Sequence, residues 1–210
     1  MHELLKTVYD DVINGDQAAV EAAVQAAMDA GLPVVSILND GLIGAMQEVG
    51  ERFERQEFYV PEMLVAARAM QAGLTLLKPH LVQAGVPAAG KVVLGTVKGD
   101  LHDIGKSLVG MMLEGAGFEV IDLGTDVGPE KFGEAVRTHQ PQLVGLSALL
   151  TTTMQNMKST LEALEDLGVR SQVRVMIGGA PVTDAFAKQI GADGYAPDAS
   201  RAVALAKALR

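Results

Sequence analysis

Asp100 and His102 stand two residues apart in the stretch Gly99-Asp100-Leu101-His102-Asp103-Ile104-Gly105-Lys106-Ser107. In extended backbone, residues i and i+2 point to the same side. Asp100 can therefore take a hydrogen bond from one imidazole nitrogen of His102 while the other nitrogen faces outward. A metal-binding histidine steadied by an outer carboxylate has this arrangement. The other histidines, His2, His80 and His139, do not sit among obvious partner ligands and are expected to be structural or surface groups. The chain has no cysteine, which excludes disulfides, thiolate metal sites and cysteine nucleophiles. Any metal must be held by histidine, by carboxylate, or by ligands that a cofactor brings with it.

The elements that must position this pair follow from the apolar pattern. Val92-Val93-Leu94 leads into the glycine-punctuated loop, and the helical pattern Ser107-Leu108-Val109-Gly110-Met111-Met112-Leu113 leads out of it. From Lys91 onward strands are expected at 91–97, 118–122, 142–147, 172–177 and 193–195, with helices following. Val92-Val93-Leu94, Leu143-Val144-Gly145-Leu146 and Val175-Met176-Ile177 read as strands buried on both faces, which favours a parallel sheet. Five such units predict a flavodoxin-like (Rossmann-like) α/β domain with a five-stranded parallel sheet in the order 2-1-3-4-5. Ligands of such sheets sit beyond the carboxyl ends of the strands, at the switch between strands 1 and 3. Three unusual stretches fall there: His102 after strand 1, Ser147-Ala148-Leu149-Leu150-Thr151-Thr152-Thr153 after strand 3, and Gly178-Gly179 after strand 4. Alone, the threonines read as a helix cap and the glycines as a tight turn. Their convergence on one rim carries the functional reading.

Residues 1–83 are expected to be helical. Leu4, Leu5, Val8 and Val12 mark a first helix, and the alanine-rich 17–30 a second. Val34, Leu38, Leu42, Met46, Val49 and Phe53 form the apolar stripe of a third, and a fourth runs from Glu62 to about Leu77. Short connections predict a four-helix bundle. The uncharged, small-residue segment 84–90 reads as a linker, and 91–210 as the α/β domain. The net charge of −9 argues against nucleic acid as a partner. The apolar runs are too short to span a bilayer, and no signal core opens the chain, so a cytoplasmic location without a membrane partner is expected. Gly99 to Gly105-Lys106-Ser107 is not a phosphate loop, because the glycine spacing is one too long and Asp100 stands where glycine is needed. Ser147 and Ala148 replace the acceptor aspartate of a phosphorylation receiver, and there is no Gly-x-Gly-x-x-Gly for a dinucleotide.

With these pieces assembled, the chain resembles the cobalamin-binding proteins. Their pattern is Asp-x-His-x-x-Gly, then about 41 residues, Ser-x-Leu, then about 28, and Gly-Gly. Asp100, His102 and Gly105 match its first part, Ser147 and Leu149 its second, and Gly178 and Gly179 its third, at those spacings. The helical half is similar to the cap of methionine synthase and of free-standing methyltransferase corrinoid proteins, through Phe53, Tyr59-Val60-Pro61-Glu62, Ala66-Ala67 and Met70. The resemblance implies that His102 is the lower axial ligand of cobalt in a cobalamin or related corrinoid. Asp100 would tune His102, and Thr153 would complete the relay where methionine synthase has serine. Asp103, Ile104, Ser147, Leu149, Gly178 and Gly179 would contact the cofactor. Thr151, Tyr195 and the Ala196-Pro197-Asp198-Ala199 turn complete the set, and Phe53 and Val60 would cover the reactive face.

The resemblance further implies a corrinoid methyl carrier, with methylcobalamin as its charged form, cycling between Co(I) and methyl-Co(III). The chain carries no visible apparatus for activating a substrate, so it is expected to be a subunit that is not catalytic alone. Its expected partners are a substrate-specific methyltransferase, a second methyltransferase that accepts the methyl group, and a corrinoid reductive activase. Methylamines, methanol, glycine betaine and methoxylated aromatics are the candidate donors. The alternatives are a cobalamin reservoir or sensor, which usually adds a DNA-binding domain, and the small subunit of an adenosylcobalamin mutase, which usually lacks the helical cap.

Overall fold

The structure is a computed structural model and describes residues 2–210. It divides into two compact units. One runs to Ala88 and includes Glu114–Gly117, and the other comprises Ala89–Leu113 and Phe118–Arg210. No helix among the described residues is long and apolar enough to cross a membrane.

The first unit is helical. The helix α1 (Glu3–Asn14) starts with His2, whose Nδ1 accepts from the Leu4 amide at 3.2 Å, and stops at Gly15 in the left-handed region. The helix α2 (Gln17–Asp29) is capped by Asp16, whose carboxylate accepts from the Ala19 amide. Val8, Val12, Val20, Val24 and Ala27 are buried between them and their neighbours. The expected regular third helix is instead three continuous segments. These are α3 (Val34–Ser36), a π-helical stretch Ile37–Ile43, and α4 (Gly44–Glu54). The apolar stripe does not reveal the wider turn, because Leu38, Leu42 and Met46 keep an i, i+4 spacing that both helix types share. The helix α5 (Val60–Gln83) begins two residues before the expected Glu62 and extends past Leu77. Glu62 reaches back to the Tyr59 amide at 3.0 Å, which sets Tyr59 as the cap. Pro79 removes one helical hydrogen bond, yet buried Leu77 and Leu81 on either side hold the helix together.

The second unit alternates strand and helix. Its elements are β1 (Gly90–Thr96), α6 (Ile104–Gly115), β2 (Phe118–Asp122), α7 (Pro129–His139), β3 (Leu143–Ser147), α8 (Gln155–Asp166), β4 (Arg174–Gly178), α9 (Asp184–Ile190), β5 (Gly194–Tyr195) and α10 (Ala199–Leu209). The sheet is parallel throughout, in the order β2-β1-β3-β4-β5. Val93, Val144, Leu146, Val175 and Ile177 are buried in its core together with Phe132 from α7. Gly90, expected in the linker, is already in β1. The expected start of the fourth strand at 172 is taken by a short 3-10 turn, Arg170–Gln172. Arg170 fixes that turn by donating to the carbonyls of Val173 and Gly191 and to Asp193. The register aligns the strand ends: Thr96 pairs with Ser147, and Ser147 with Gly178. Three strands therefore end level with one another, and the loops that leave them begin on one line.

Candidate functional site

The loop from β1 to α6 opens with a turn. Gly99 has φ +80°, and the Asp100 amide donates to the Val97 carbonyl at 3.1 Å. The turn delivers Asp100 to the sheet's carboxyl edge, where its side chain is fully buried. Oδ1 accepts from the His102 amide at 3.1 Å and lies 2.7 Å from His102 Nδ1. Oδ2 accepts from the Thr153 hydroxyl at 2.6 Å and from the amides of Leu149 and Leu150 at 2.8 and 3.3 Å. Burial by itself raises the Asp100 pKa. The hydrogen bonds from Thr153, from His102 and from the backbone amides overcome it and hold the carboxyl well below the usual carboxylate range. An ionised carboxylate can only accept, so the His102 Nδ1 carries the hydrogen and Nε2 keeps its lone pair. The imidazole is half exposed. Its backbone is held as well, because the Thr96 hydroxyl donates to the His102 carbonyl at 2.9 Å.

The other expected residues fall around this group or apart from it. Asp103 is exposed, and its carbonyl accepts from the Ser107 amide to open α6. Ile104 is 74% exposed. Gly105 has no atom within 4 Å of where a Cβ would stand. Ser147 closes β3, and its carbonyl accepts from the Val97 amide. Leu149 and Thr151 are exposed on the loop after β3. Gly178 ends β4. At Gly179, φ is +132° and a Cβ would lie 1.9 Å from the Ala148 carbonyl oxygen, so the chain itself requires glycine there. Tyr195 is half-buried on the edge strand β5 and packs on the core. Phe53 and Val60 belong to the helical unit. Phe53 is half-buried in the last turn of α4 and Val60 is the exposed first residue of α5. In the same stretch of chain, the Arg52 guanidinium lies 5.2 Å from the ring centre of Phe58.

Sequence reasoning missed Leu101 and Leu150, which are large, apolar and exposed on the same two loops as His102 and Thr153. A leucine between polar neighbours gives no sign of whether it faces core or solvent. It also missed Lys106, buried and paired with Asp122.

The donor set shows which group fits. No three or more His, Cys, Asp or Glu side chains come together to hold a metal ion among the described residues. A single imidazole suits a metal whose remaining positions are filled by its own ring. Exposed Leu101, Ile104, Leu149 and Leu150 and the open side of Gly105 suit a broad apolar face lying against them. These residues fit a corrinoid.

A half-exposed imidazole on the β1–α6 loop of a doubly wound parallel sheet is what a module for a metal-bearing macrocycle would present. Residues 90–204 match the family described as the B12 binding domain, and residues 4–78 match a second family of that description. The chain is 45% identical over 208 residues to dimethylamine corrinoid protein 2 of Methanosarcina mazei, covering 99% of this chain and 97% of that one. It is similar to a cobalamin-binding protein of Desulfitobacterium hafniense, with TM-score 0.79, 33% identity and 98% of each chain covered. It is also similar to a chain of the methanol:cobalamin methyltransferase complex of Methanosarcina barkeri, with TM-score 0.87, 30% identity, and 99% of this chain and 79% of that one covered. This chain belongs to the B12-binding corrinoid proteins of methyltransferase systems.

Proposed function

We propose that this chain carries a methyl group on a corrinoid between two methyltransferases, the first of which takes that group from a methylated amine. The observation that carries the reading is the Asp100–His102 pair: Nδ1 is committed to a buried carboxylate, and the half-exposed ring leaves Nε2 as its free acceptor. When bound, the corrinoid supplies a cobalt centre that accepts and gives up a methyl group. His102 would offer its Nε2 as a ligand to that centre. Asp100, backed by the Thr153 hydroxyl, would keep His102 in the tautomer that leaves Nε2 free. Ser147 would contact the cofactor's displaced base, Gly178 and Gly179 would let its nucleotide tail lie against bare backbone, and Leu149, Ile104 and Asp103 would contact the cofactor as well. The amine as donor is supported by the 45% identity to the dimethylamine protein over nearly the whole of both chains. A reductive activase is the further partner such a carrier needs.

Reconstitution with hydroxocobalamin followed by desalting tests the reading. The protein should stay coloured, with the cofactor's own benzimidazole displaced, and His102→Gly should change the absorption spectrum at neutral pH. A colourless eluate, or a bound corrinoid that keeps its benzimidazole on the metal, overturns it. Methyl transfer from dimethylamine, with methanol as the control donor and the matching methyltransferases supplied, decides the donor class.

A further inference from the structure

Asp126 and Asn156 lie outside every motif above, and both end on a single peptide bond. The chain from Val97 to Asp100 is a four-residue turn closed by the Asp100 amide and the Val97 carbonyl at 3.1 Å, with Gly99 at φ +80°. A positive φ at the third position is the mark of a type II turn, whose central peptide joins Lys98 to Gly99. Both polar atoms of that peptide are taken. The Lys98 carbonyl accepts from Asn156 Nδ2 at 2.7 Å, and the Gly99 amide donates to Asp126 Oδ1 at 2.7 Å. Asn156 comes from α8 and Asp126 from the loop between β2 and α7, so the peptide is gripped from two elements of the same unit. Asp126 holds a third point, because its own amide donates to the Asp100 carbonyl at 3.0 Å. To do so it sits at φ +53°, an uncommon conformation for a residue with a side chain, though one that aspartate tolerates.

A type II turn becomes type I when its central peptide rotates, and glycine at the third position permits either. Rotation would turn the Lys98 carbonyl and the Gly99 amide away from Asn156 and Asp126. It would also re-aim the chain entering Asp100, whose carboxylate takes five donors from His102 and the loop after β3.

We infer that Asp126 and Asn156 are positioning residues that lock the Lys98–Gly99 peptide in one orientation and thereby hold Asp100 where it fixes the His102 tautomer. The consequence for metal ligation rests on the proposed function, whereas the clamp belongs to the chain without cofactor and is tested there. The substitution Asp126→Gly keeps the left-handed conformation open but removes the carboxylate acceptor. Asp126→Asn keeps an acceptor oxygen and tolerates the same backbone. Hydrogen exchange of the Gly99 amide, and the ring nitrogen shifts of His102 at about pH 8 where a free imidazole is neutral, are read by NMR.

In Asp126→Gly, Gly99 exchange should rise about tenfold or more, the loss of one charge-assisted bond, and the Nδ1–H share of His102 should fall. Asp126→Asn should restore both. Asn156→Ala, which leaves Asp126 in place, should reproduce the tautomer shift if Asp126→Gly fails to fold. Wild-type exchange and tautomer in Asp126→Gly or Asn156→Ala overturn the clamp, as does an Asp126→Asn variant that loses as much as Asp126→Gly. Because both readouts are taken without corrinoid, failure of the clamp leaves the proposed function standing, and failure to bind corrinoid leaves the clamp standing.

Discussion

At the scale of the residue, the site turns on how many donors one carboxylate can satisfy. Asp100 takes five hydrogen bonds on two oxygens while fully buried. An amide at this position can accept on one oxygen only. If the amide nitrogen of Asp100→Asn faces Leu149, Leu150 and Thr153, donor meets donor. If it faces His102, it makes Nδ1 the acceptor and moves the ring hydrogen to Nε2, which removes the lone pair that the proposed metal ligation requires. We expect Asp100→Asn to lose about 2–3 kcal/mol of stability, from unpaired buried donors, and to shift His102 toward the Nε2–H tautomer. Denaturant midpoints and ring nitrogen shifts measure the two effects. The pH dependence has a definite sign. Asp100 is held below its ordinary value of 3.8, so the unfolded chain takes up the proton first. Its contribution is fully present above that value and is lost as pH falls below it. Wild type and Asp100→Asn should therefore converge in stability as the pH is lowered through the ordinary carboxylate range, and parallel curves would refute the assignment. The pair Asp100 and His102 is legible in the sequence because i and i+2 share a face. The amides of Leu149 and Leu150 are not, because any residue supplies an amide. Thr153 is legible only through the family resemblance, and its hydroxyl does reach Asp100; Asp126 and Asn156 become partners only when β1, β2 and β3 are laid side by side.

At the scale of the element, glycines separate what the fold requires from what a ligand requires. Gly179 meets the Ala148 carbonyl oxygen and has positive φ, whereas Gly105 has nothing near it and lies in the first turn of α6. Gly179→Ala should cost about 3 kcal/mol or fail to fold, through close contact and backbone strain. Gly105→Ala should leave the cofactor-free chain as stable or more stable by up to about 1 kcal/mol, because alanine favours helix. It should nevertheless weaken corrinoid binding, because the new methyl occupies the open side. Thermal melts of the free chain beside binding titrations distinguish the cases, and unchanged affinity in Gly105→Ala would remove that residue from the site. The sheet order was legible because its central strands are apolar on both faces, as in Val92-Val93-Leu94 and Val175-Met176-Ile177. The π-helical stretch was not, since Leu38 and Leu42 fit either period. The extent of α5 was not either, because Pro79 reads as a stop signal in sequence and only the burial of Leu77 and Leu81 overrides it.

At the scale of the whole molecule, two compact units mean that unfolding need not be a single transition. A ligand stabilises what it binds by RT ln(1 + [L]/Kd), about 2.7 kcal/mol at a hundredfold excess over Kd. For a unit the size of Ala89–Leu113 with Phe118–Arg210 each kcal/mol moves a melting transition by about 4 °C. The residues argued to hold the corrinoid from below all lie in the unit of Ala89–Leu113 and Phe118–Arg210. A hundredfold excess of hydroxocobalamin over Kd should therefore raise that unit's transition by about 11 °C in calorimetry, by the same conversion. His102→Gly should melt close to wild type without cofactor, since the imidazole is half exposed and its loss leaves Asp100 with the Thr153 hydroxyl and the backbone amides of positions 102, 149 and 150. With cofactor it should show a smaller rise, because the proposed coordination bond would be gone while exposed Leu101, Ile104, Leu149 and Leu150 would still offer apolar contact. Equal rises in the two proteins would mean that the imidazole contributes nothing to holding the cofactor, and the lower-ligand role would have to be given up even though the chain binds corrinoid.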